Sequence, residues 1–203
     1  MTPFGDIVAI AQRGLFLGNR GSIHRGDRAE IARPWQVRRW ITCALQHKGW
    51  VAPRWQPGRW TALFYFDEAV ALAAGHRPCA LCRRPEFVRW MDGWEASIGA
   101  RPGVDAVDRR LHAERVVGRQ KRRHAMPWSG LPTGSFVALG GAEELACLVL
   151  ADRLLPWSAT SDSYGSPTAR PSSGTAVVLT PPSTVEVLRH GYVPELHPSA
   201  VSY

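Results

Sequence analysis

The amino-acid sequence predicts an α+β fold, in which a helical N-terminal part carries a cysteine knuckle and a small β-rich part follows. Helix-like segments occupy much of residues 67–123, and short apolar segments typical of strands occupy the last third. This change of character divides the chain into a basic part, 1–125, and a β-rich part, 126–203, which could also form one compact domain with the first.

The predicted helices follow from capping signals and turn residues. The alanine-rich segment 67–74 begins with a potential N-cap at Asp67 and is followed by a glycine. A proline suits the first turn of a second helix at 85–94, and a third helix is predicted over 104–123. A capping-box pattern after two prolines predicts a short helix at 183–189.

The predicted strands are short and apolar or aromatic. Residues 60–66 are rich in aromatic side chains and indicate a buried strand. Segments 134–139, 146–150 and 176–179 have the composition of strands in a small sheet. Residues 35–45 fit either a short helix or a strand, and the sequence leaves this choice open.

Positive charge is concentrated in the first part of the chain. The net charge is +8, and residues 1–123 contain 22 Lys and Arg against 11 Asp and Glu. Such a segregated basic surface predicts contact with a polyanion, and nucleic acid is the first candidate. The alternative is an arginine-rich composition unrelated to binding. Seven of the nine tryptophans lie among these basic residues, where they could stack on bases or simply fill the core.

The sequence predicts a cytoplasmic protein without a membrane partner. No apolar run approaches the length of a membrane-spanning helix, and the first 20 residues lack the layout of a signal peptide. In a reducing compartment the four cysteines favour metal-binding or catalytic roles over disulfides.

The cysteine spacing predicts a metal site. Cys79 and Cys82 form a Cys-x2-Cys pair, which can direct two sulfurs at one ion. Upstream, Cys43 and His47 are separated by three residues and would share one face of a helix. Together the four residues form a Cys3His set, which is typical of a closed zinc site. His24, which follows a glycine-containing turn, could replace His47 as the nitrogen ligand.

Residues 40–84 resemble the N-terminal metal-binding domain of the Ada DNA-repair family. The motif that carries the resemblance is Ala74-Gly75-His76-Arg77-Pro78-Cys79-Ala80-Leu81-Cys82, preceded by an aromatic strand and a helix. The resemblance implies zinc binding and contact with the DNA backbone. Cys43 occupies the position of the cysteine that accepts a methyl group in that family, and His47 replaces its second cysteine. Because a neutral imidazole makes the remaining sulfurs less nucleophilic, a structural zinc is expected rather than methyl transfer.

The sequence therefore predicts a zinc-supported nucleic-acid-binding protein, with DNA as the expected partner and repair or defence as the expected process. Arginines near the knuckle and near the upstream pair are the predicted phosphate contacts. They are Arg38, Arg39, Arg77, Arg83 and Arg84.

A zinc-dependent hydrolase or deaminase acting on a nucleobase is the alternative function. Zinc deaminases combine His-x-Glu with Pro-Cys-x-x-Cys, and both pieces occur here, in reversed order. In this hypothesis Cys79, Cys82 and His112 hold zinc and Glu114 transfers protons. The competing explanation places His112 and Glu114 on an exposed helical face as ordinary charged residues.

Overall fold

The computed structural model describes residues 1–26, 30–51, 55–140 and 144–201. In chain order the strands are β1 (Phe16–Asn19), β2 (Ile41–Cys43), β3 (Gln46–His47), β4 (Trp50–Val51), β5 (Leu63–Tyr65), β6 (Arg77–Pro78), β7 (Val116–Val117), β8 (Gln120–Lys121), β9 (His124–Pro127), β10 (Phe136–Leu139), β11 (Leu145–Val149), β12 (Arg153–Pro156), β13 (Thr168–Ala169) and β14 (Thr175–Val178). The helices are α1 (Glu68–Ala73), α2 (Arg84–Ile98), α3 (Val104–Arg115), α4 (Pro182–Arg189) and α5 (Pro198–Val201), with a 3-10 turn at Trp128–Gly130.

The protein consists mostly of short strands in several sheets, with a few helices between them. The prediction of a helical N-terminal zinc-knuckle part is therefore wrong, although helices and strands are mixed along the chain. The knuckle does not join two helices. Its first cysteine directly follows strand β6, at the edge of a sheet, and only its second cysteine leads into a helix. No helix in the described parts of the chain is long and apolar enough to cross a membrane.

The first sheet has the strand order β5-β1-β2-β6. Strand β1 is antiparallel to both of its neighbours, whereas β2 and β6 run parallel, with Thr42 beside Pro78. Parallel neighbours bring equivalent ends of two strands to the same edge. Cys43 and Cys79 both lie at that edge.

The second sheet is antiparallel throughout and has the order β13-β12-β11-β10-β14-β9. Both of its faces are covered, since alternate residues of β10 enter different apolar clusters. Phe136 and Ala138 pack in the cluster that also contains α1, and Val137 packs in the cluster that contains Val185 of α4.

Helix α1 lies between the two sheets and contacts β1, β5 and β10. All six of its residues are buried. The cluster around α1 contains Phe16 and Tyr65 from the first sheet and Phe136 and Leu148 from the second. The division of the chain near residue 125 stays a prediction, but the largest apolar cluster draws on both sides of it.

Helices α2, α3 and α4 form a separate layer. Phe87, Trp90 and Trp94 lie on one face of α2 and pack against Leu111 of α3 and Val187 of α4. Their spacing of three or four residues places them in one apolar stripe. This layer buries two of the tryptophans that lie among basic residues in the sequence, so these two serve the core.

Helix α3 is shorter than predicted and ends at Arg115. The expected continuation to residue 123 forms the β7–β8 hairpin instead, which turns at Gly118 with a φ of 58°. Two β-branched valines follow Arg115, and such residues favour extended backbone. This turn carries Lys121 back towards the end of α1, where its ammonium group donates to the carbonyl of Ala73.

A buried carboxylate, that of Glu68, binds the C-terminal segment to the start of α1. Glu68 accepts hydrogen bonds from the Tyr192 hydroxyl (2.6 Å) and the Glu195 backbone amide (2.9 Å). Arg83, next to the knuckle, donates to the same carboxylate at 2.7 Å. Thus Glu68 connects the knuckle, α1 and the C-terminal segment in one buried network.

Candidate metal centre

Three cysteine sulfurs meet at the edge of the first sheet. The Sγ atoms of Cys43, Cys79 and Cys82 all lie within 4.8 Å of one another. Cys43 and Cys79 are 9% and 8% exposed, and Cys82 is half-buried. Three of the four residues predicted as metal ligands therefore come together, and this cluster could hold a metal ion.

The chain builds this cluster with one parallel strand pair and one tight turn. The amide of Cys79 donates to the carbonyl of Thr42 at 2.9 Å, which fixes the two strand ends side by side. A turn then brings Cys82 back, closed by the Arg83 amide donating to the Cys79 carbonyl at 3.2 Å. Helix α2 begins two residues after Cys82, so its positive end lies beside the sulfurs and favours thiolates.

The close approach of the three sulfurs shifts their pKa values. The Cys79 sulfur accepts hydrogen bonds from the thiols of Cys43 and Cys82, and these bonds lower its pKa. The pKa of Cys43 is raised chiefly because its thiol donates to Cys79. The backbone amide of Leu81 also donates to the Cys79 sulfur at 3.4 Å. This arrangement favours the thiolate form at Cys79, and a metal ion bound to all three sulfurs would displace the other thiol protons.

The donor set fits a thiophilic ion such as zinc. Tetrahedral zinc with Zn–S bonds of about 2.3 Å needs sulfurs ~3.8 Å apart, a separation compatible with the observed cluster. Leu17 and Ala62 are buried beside the cysteines, and Trp60 packs against the same cluster, so the site has an apolar wall. Within residues 1–26, 30–51, 55–140 and 144–201, no fourth Cys, His, Asp or Glu joins the group.

His47 does not belong to the three-sulfur cluster. The predicted pairing of Cys43 with His47 requires a helix, but Cys43 ends strand β2 and His47 lies in the β3–β4 hairpin, opposite Trp50. Lys48 and Gly49 form the hairpin turn with positive φ angles of 49° and 78°, as two-residue hairpins require. In this extended backbone, residues four positions apart do not share a helical face, and the prediction depended on such a face.

His24 and His112 lie outside the cluster as well. Both ring nitrogens of His24 are engaged, Nδ1 with the Thr61 hydroxyl at 2.6 Å and Nε2 with the Gln56 carbonyl at 3.0 Å. His112 packs edge-on against Trp35, with ring centroids 5.4 Å apart. Burial, and secondarily the charge of Arg115, lowers the pKa of His112 to about 4, so its ring is neutral at physiological pH.

The predicted deaminase-like arrangement is not assembled. The carboxylate of Glu114 accepts hydrogen bonds from the Ser183 amide (2.9 Å) and hydroxyl (2.6 Å) at the first turn of α4, and it pairs with Arg110 at 3.0 Å. Glu114 thereby replaces the capping box that was predicted within residues 183–186. Neither His112 nor Glu114 belongs to the group formed by the three cysteines.

Two of the predicted phosphate-binding arginines are buried in ion pairs. Arg77 is 2% exposed and makes a two-pronged contact with Asp108, with both N–O distances 2.8 Å. Arg83 is 5% exposed and pairs with Glu68. These guanidinium groups hold the knuckle against α3 and α1, and their burial removes them from any surface that a phosphate could reach.

Arg38, Arg39 and Arg84, the other predicted contacts, are exposed. Arg38 and Arg39 line a groove of about 780 Å³ together with Arg109 and Trp60. Arg39 lies 3.6 Å from the carboxylate of Asp105, but both side chains are largely exposed, so this ion pair is weak. The groove therefore offers positive charge on an accessible surface.

An exposed aromatic pair adjoins the groove. The rings of Trp50 and Trp60 are stacked, with centroids 5.8 Å apart and an interplanar angle of 26°. Trp50 is 41% exposed at the tip of the β3–β4 hairpin, and Trp60 packs against the cysteine cluster. An accessible aromatic face next to arginines can stack on an unpaired base.

Sequence reasoning missed a second group of cations. Arg20, Arg115 and Lys121 line one deep pocket, although they lie in three separate segments of the chain. The sequence displays only the general concentration of basic residues in 1–123. Nothing in the spacing of the three residues shows that they meet.

The chain matches no known family model, no curated protein and no solved structure. The likeness of residues 40–84 to the Ada-type domain rests on the sequence motif alone. The cysteine cluster and the basic surfaces are the features of the chain that point to a function.

Proposed function

We propose that this chain is a zinc-binding protein that binds nucleic acid, with DNA as the expected partner. The observation that supports the metal is the meeting of the Cys43, Cys79 and Cys82 sulfurs at the edge of the first sheet. Thiolates favour zinc among the common divalent ions. Bound there, zinc would supply charge compensation for three thiolates and a covalent link between β2 and the knuckle.

The proposed nucleic-acid surface is the groove beside this centre. Arg38 and Arg39 supply phosphate contacts, and the stacked rings of Trp50 and Trp60 supply a platform for bases. Trp60 packs against the cysteine cluster, so a metal ion would stiffen the wall that carries this platform. A role in DNA repair or defence, as the Ada-type likeness implies, is part of the proposal.

The metal centre is tested by elemental analysis and X-ray absorption at the zinc edge. We expect one zinc per chain, with three sulfur ligands and one lighter ligand. Cys79→Ser should lose zinc, because two thiolates and a hydroxyl hold the ion far less tightly. Cys147→Ser is the matched control, since Cys147 is buried in the second sheet, away from the cluster. Zinc-free protein, or equal zinc content in both variants, would contradict the proposed centre.

The nucleic-acid surface is tested by fluorescence anisotropy with DNA and RNA oligonucleotides at several salt concentrations. Removing two phosphate contacts with Arg38→Ala plus Arg39→Ala should reduce the slope of log K against log salt by about 2 and weaken binding roughly tenfold or more. Trp50→Ala should weaken binding to single strands more than to duplexes, since only unpaired bases can stack on it.

Arg89→Ala is the matched control for both variants. Arg89 is 59% exposed on α2 and pairs there with Glu86, so its removal changes the net charge without touching the groove. An equal loss of affinity in this control would show that net charge alone drives binding. No detectable binding at low salt would refute the nucleic-acid proposal.

A further inference from the structure

A deep basic pocket lies away from the cysteine cluster. Its volume is about 890 Å³, and it opens between the N-terminal segment and the β7–β8 hairpin. Arg20, Arg115 and Lys121 line it, together with the aromatic rings of Phe4, Trp35 and Trp40. Arg20 is 2% exposed and Arg115 is fully buried, so two guanidinium groups are held away from water.

The charges of these three cations are not balanced by carboxylates. Within the described residues, no Asp or Glu oxygen lies within 4.0 Å of the Arg20, Arg115 or Lys121 nitrogens. Of the two carboxylates in the pocket wall, Glu144 pairs with Arg123, and Asp6 accepts from the Thr2 hydroxyl and attracts Arg20 and Lys121 only through space, without an ion pair. Buried cations are rarely left without a counter-charge.

Neutral groups accept hydrogen bonds from some of the donors in this cationic cluster. Both guanidinium groups lie over the ring of Trp40. The ring centroid is 3.8 Å from the Cζ atom of Arg20 and 3.9 Å from that of Arg115. Arg20 Nη1 donates to the Gly5 carbonyl, Arg115 Nη1 donates to the Gly75 carbonyl, and Lys121 donates to the Ala73 carbonyl. Cation–π contacts and carbonyl dipoles reduce the cost of burial without neutralising the charge.

Two nitrogens of this cluster have no hydrogen-bond partner among the described residues. They are Arg20 Nη2 and Arg115 Nε, and both are buried in side chains that line the pocket. An unsatisfied buried donor on a charged group is costly. Two such donors, in side chains that line one pocket, show that the surrounding protein does not fully satisfy this cationic cluster.

The mutual repulsion of these three cations also favours an anionic ligand in the pocket. Burial, followed by the charge of Arg20, lowers the pKa of both Arg115 and Lys121. The pKa of the neighbouring His76 is lowered by burial and by all three cations. A dianion in the pocket would relieve the repulsion among them.

We propose that this pocket binds a phosphate monoester, through Arg20, Arg115 and Lys121. Three unpaired cations match a ligand with more than one negative charge, and a phosphate monoester carries about −1.5 to −2 at pH 7. Its oxygens accept the forked donors of arginine well. The pocket is also large enough for a mononucleotide, since small-molecule sites span roughly 300–1,000 Å³.

The phosphate monoester could belong to a free nucleotide or to the end of a nucleic-acid chain. The proposal does not rest on the metal centre or on the groove at Arg38 and Arg39, which lies on other residues. Failure of the zinc or groove experiments therefore leaves it standing, and its own failure leaves those proposals standing.

The test uses the whole 203-residue chain as purified, in calorimetric titration and thermal melting. The probes are inorganic phosphate, a nucleoside 5′-monophosphate, and one oligonucleotide with either a 5′-phosphate or a 5′-hydroxyl, with sulfate at equal ionic strength as the reference. We expect at least one phosphate monoester to bind and to raise the melting temperature above the sulfate reference. Binding of the mononucleotide indicates a nucleotide site, and a preference for the 5′-phosphate oligonucleotide alone indicates a chain end.

Variants connect the binding to the pocket. Lys121→Met and Arg20→Met each remove one unpaired cation but keep an apolar stem. We expect each to weaken phosphate binding tenfold or more and, because the repulsion falls, to leave the ligand-free melting temperature equal or higher. Arg89→Met, on the exposed surface of α2, should behave as the unmodified chain does. The proposal is overturned if no phosphate monoester exceeds sulfate, or if the Lys121 and Arg20 variants bind as tightly as the control.

Discussion

The buried carboxylate of Asp67 accepts hydrogen bonds from three separate segments of the chain. It caps α1 by accepting a hydrogen bond from the Val70 amide at 2.9 Å. It also accepts from the Tyr164 hydroxyl at 2.7 Å and from the His197 amide at 3.1 Å. Burial nevertheless outweighs these three donors and raises the pKa of Asp67 from 3.8 to about 6. The native state therefore takes up a proton at Asp67 in mildly acidic solution.

The raised pKa predicts a pH-dependent contribution to stability. Because the folded pKa exceeds the unfolded one, this contribution is fully present below pH 3.8 and is lost as the pH rises through about 6. Asp67→Asn keeps a capping oxygen but cannot titrate. Relative to this variant, the unmodified chain should gain about 2 kcal/mol in unfolding free energy between pH 7 and pH 4. Urea denaturation across this range measures the difference.

Asp92→Asn provides the control for this titration. Asp92 is exposed and pairs with Arg101 on the surface at 2.6 Å, so its substitution removes a carboxylate without touching the buried network around Asp67. Parallel stability profiles for the unmodified chain and the Asp67→Asn variant would contradict a raised pKa at Asp67.

At the scale of elements, the features predicted correctly are those that depend on neighbouring residues. The N-cap at Asp67, the short helix after it and the strand before it are confirmed. These features depend on neighbouring residues, which a single sequence displays directly. The third helix was predicted eight residues too long, since the turn at Gly118 was overlooked. The capping box at Ser183 was wrong because its donors are taken by Glu114, a residue from another helix.

The candidate site was predictable only where its geometry is local. The turn from Cys79 to Cys82 follows from the spacing, and Cys43 was identified as the one nearby thiol of the right type. His47 does not join the three sulfurs, because the backbone around Cys43 is extended rather than helical. The burial of Arg77 depends on Asp108, which meets it only through the packing of α3, and no spacing rule reveals such a pairing.

At the scale of the whole molecule, α1 connects the parts. Its residue Leu72 packs with the helical layer, while its other apolar residues pack between the two sheets. The ion pair of Arg83 with Glu68 ties the knuckle to the same helix. Tyr192 and the segment after it bind that helix from the C-terminal side. A change at the knuckle should therefore affect the entire core.

This connectivity predicts how the protein responds to metal removal. Zinc-loaded and chelator-treated protein should each unfold in one transition, coincident by tryptophan fluorescence and far-ultraviolet circular dichroism. The loaded form should be more stable by about 4 kcal/mol when free zinc is a thousand times its dissociation constant, which corresponds to roughly 8–16 °C in melting temperature. The Cys79→Ser variant should melt at the same temperature with and without chelator. If chelation instead shifted only the fluorescence transition and left a second, later transition unchanged, the knuckle would belong to a separately folding unit. The shared core around α1 argues against such independence, because unfolding the first sheet would expose Phe136 and Leu148 of the second.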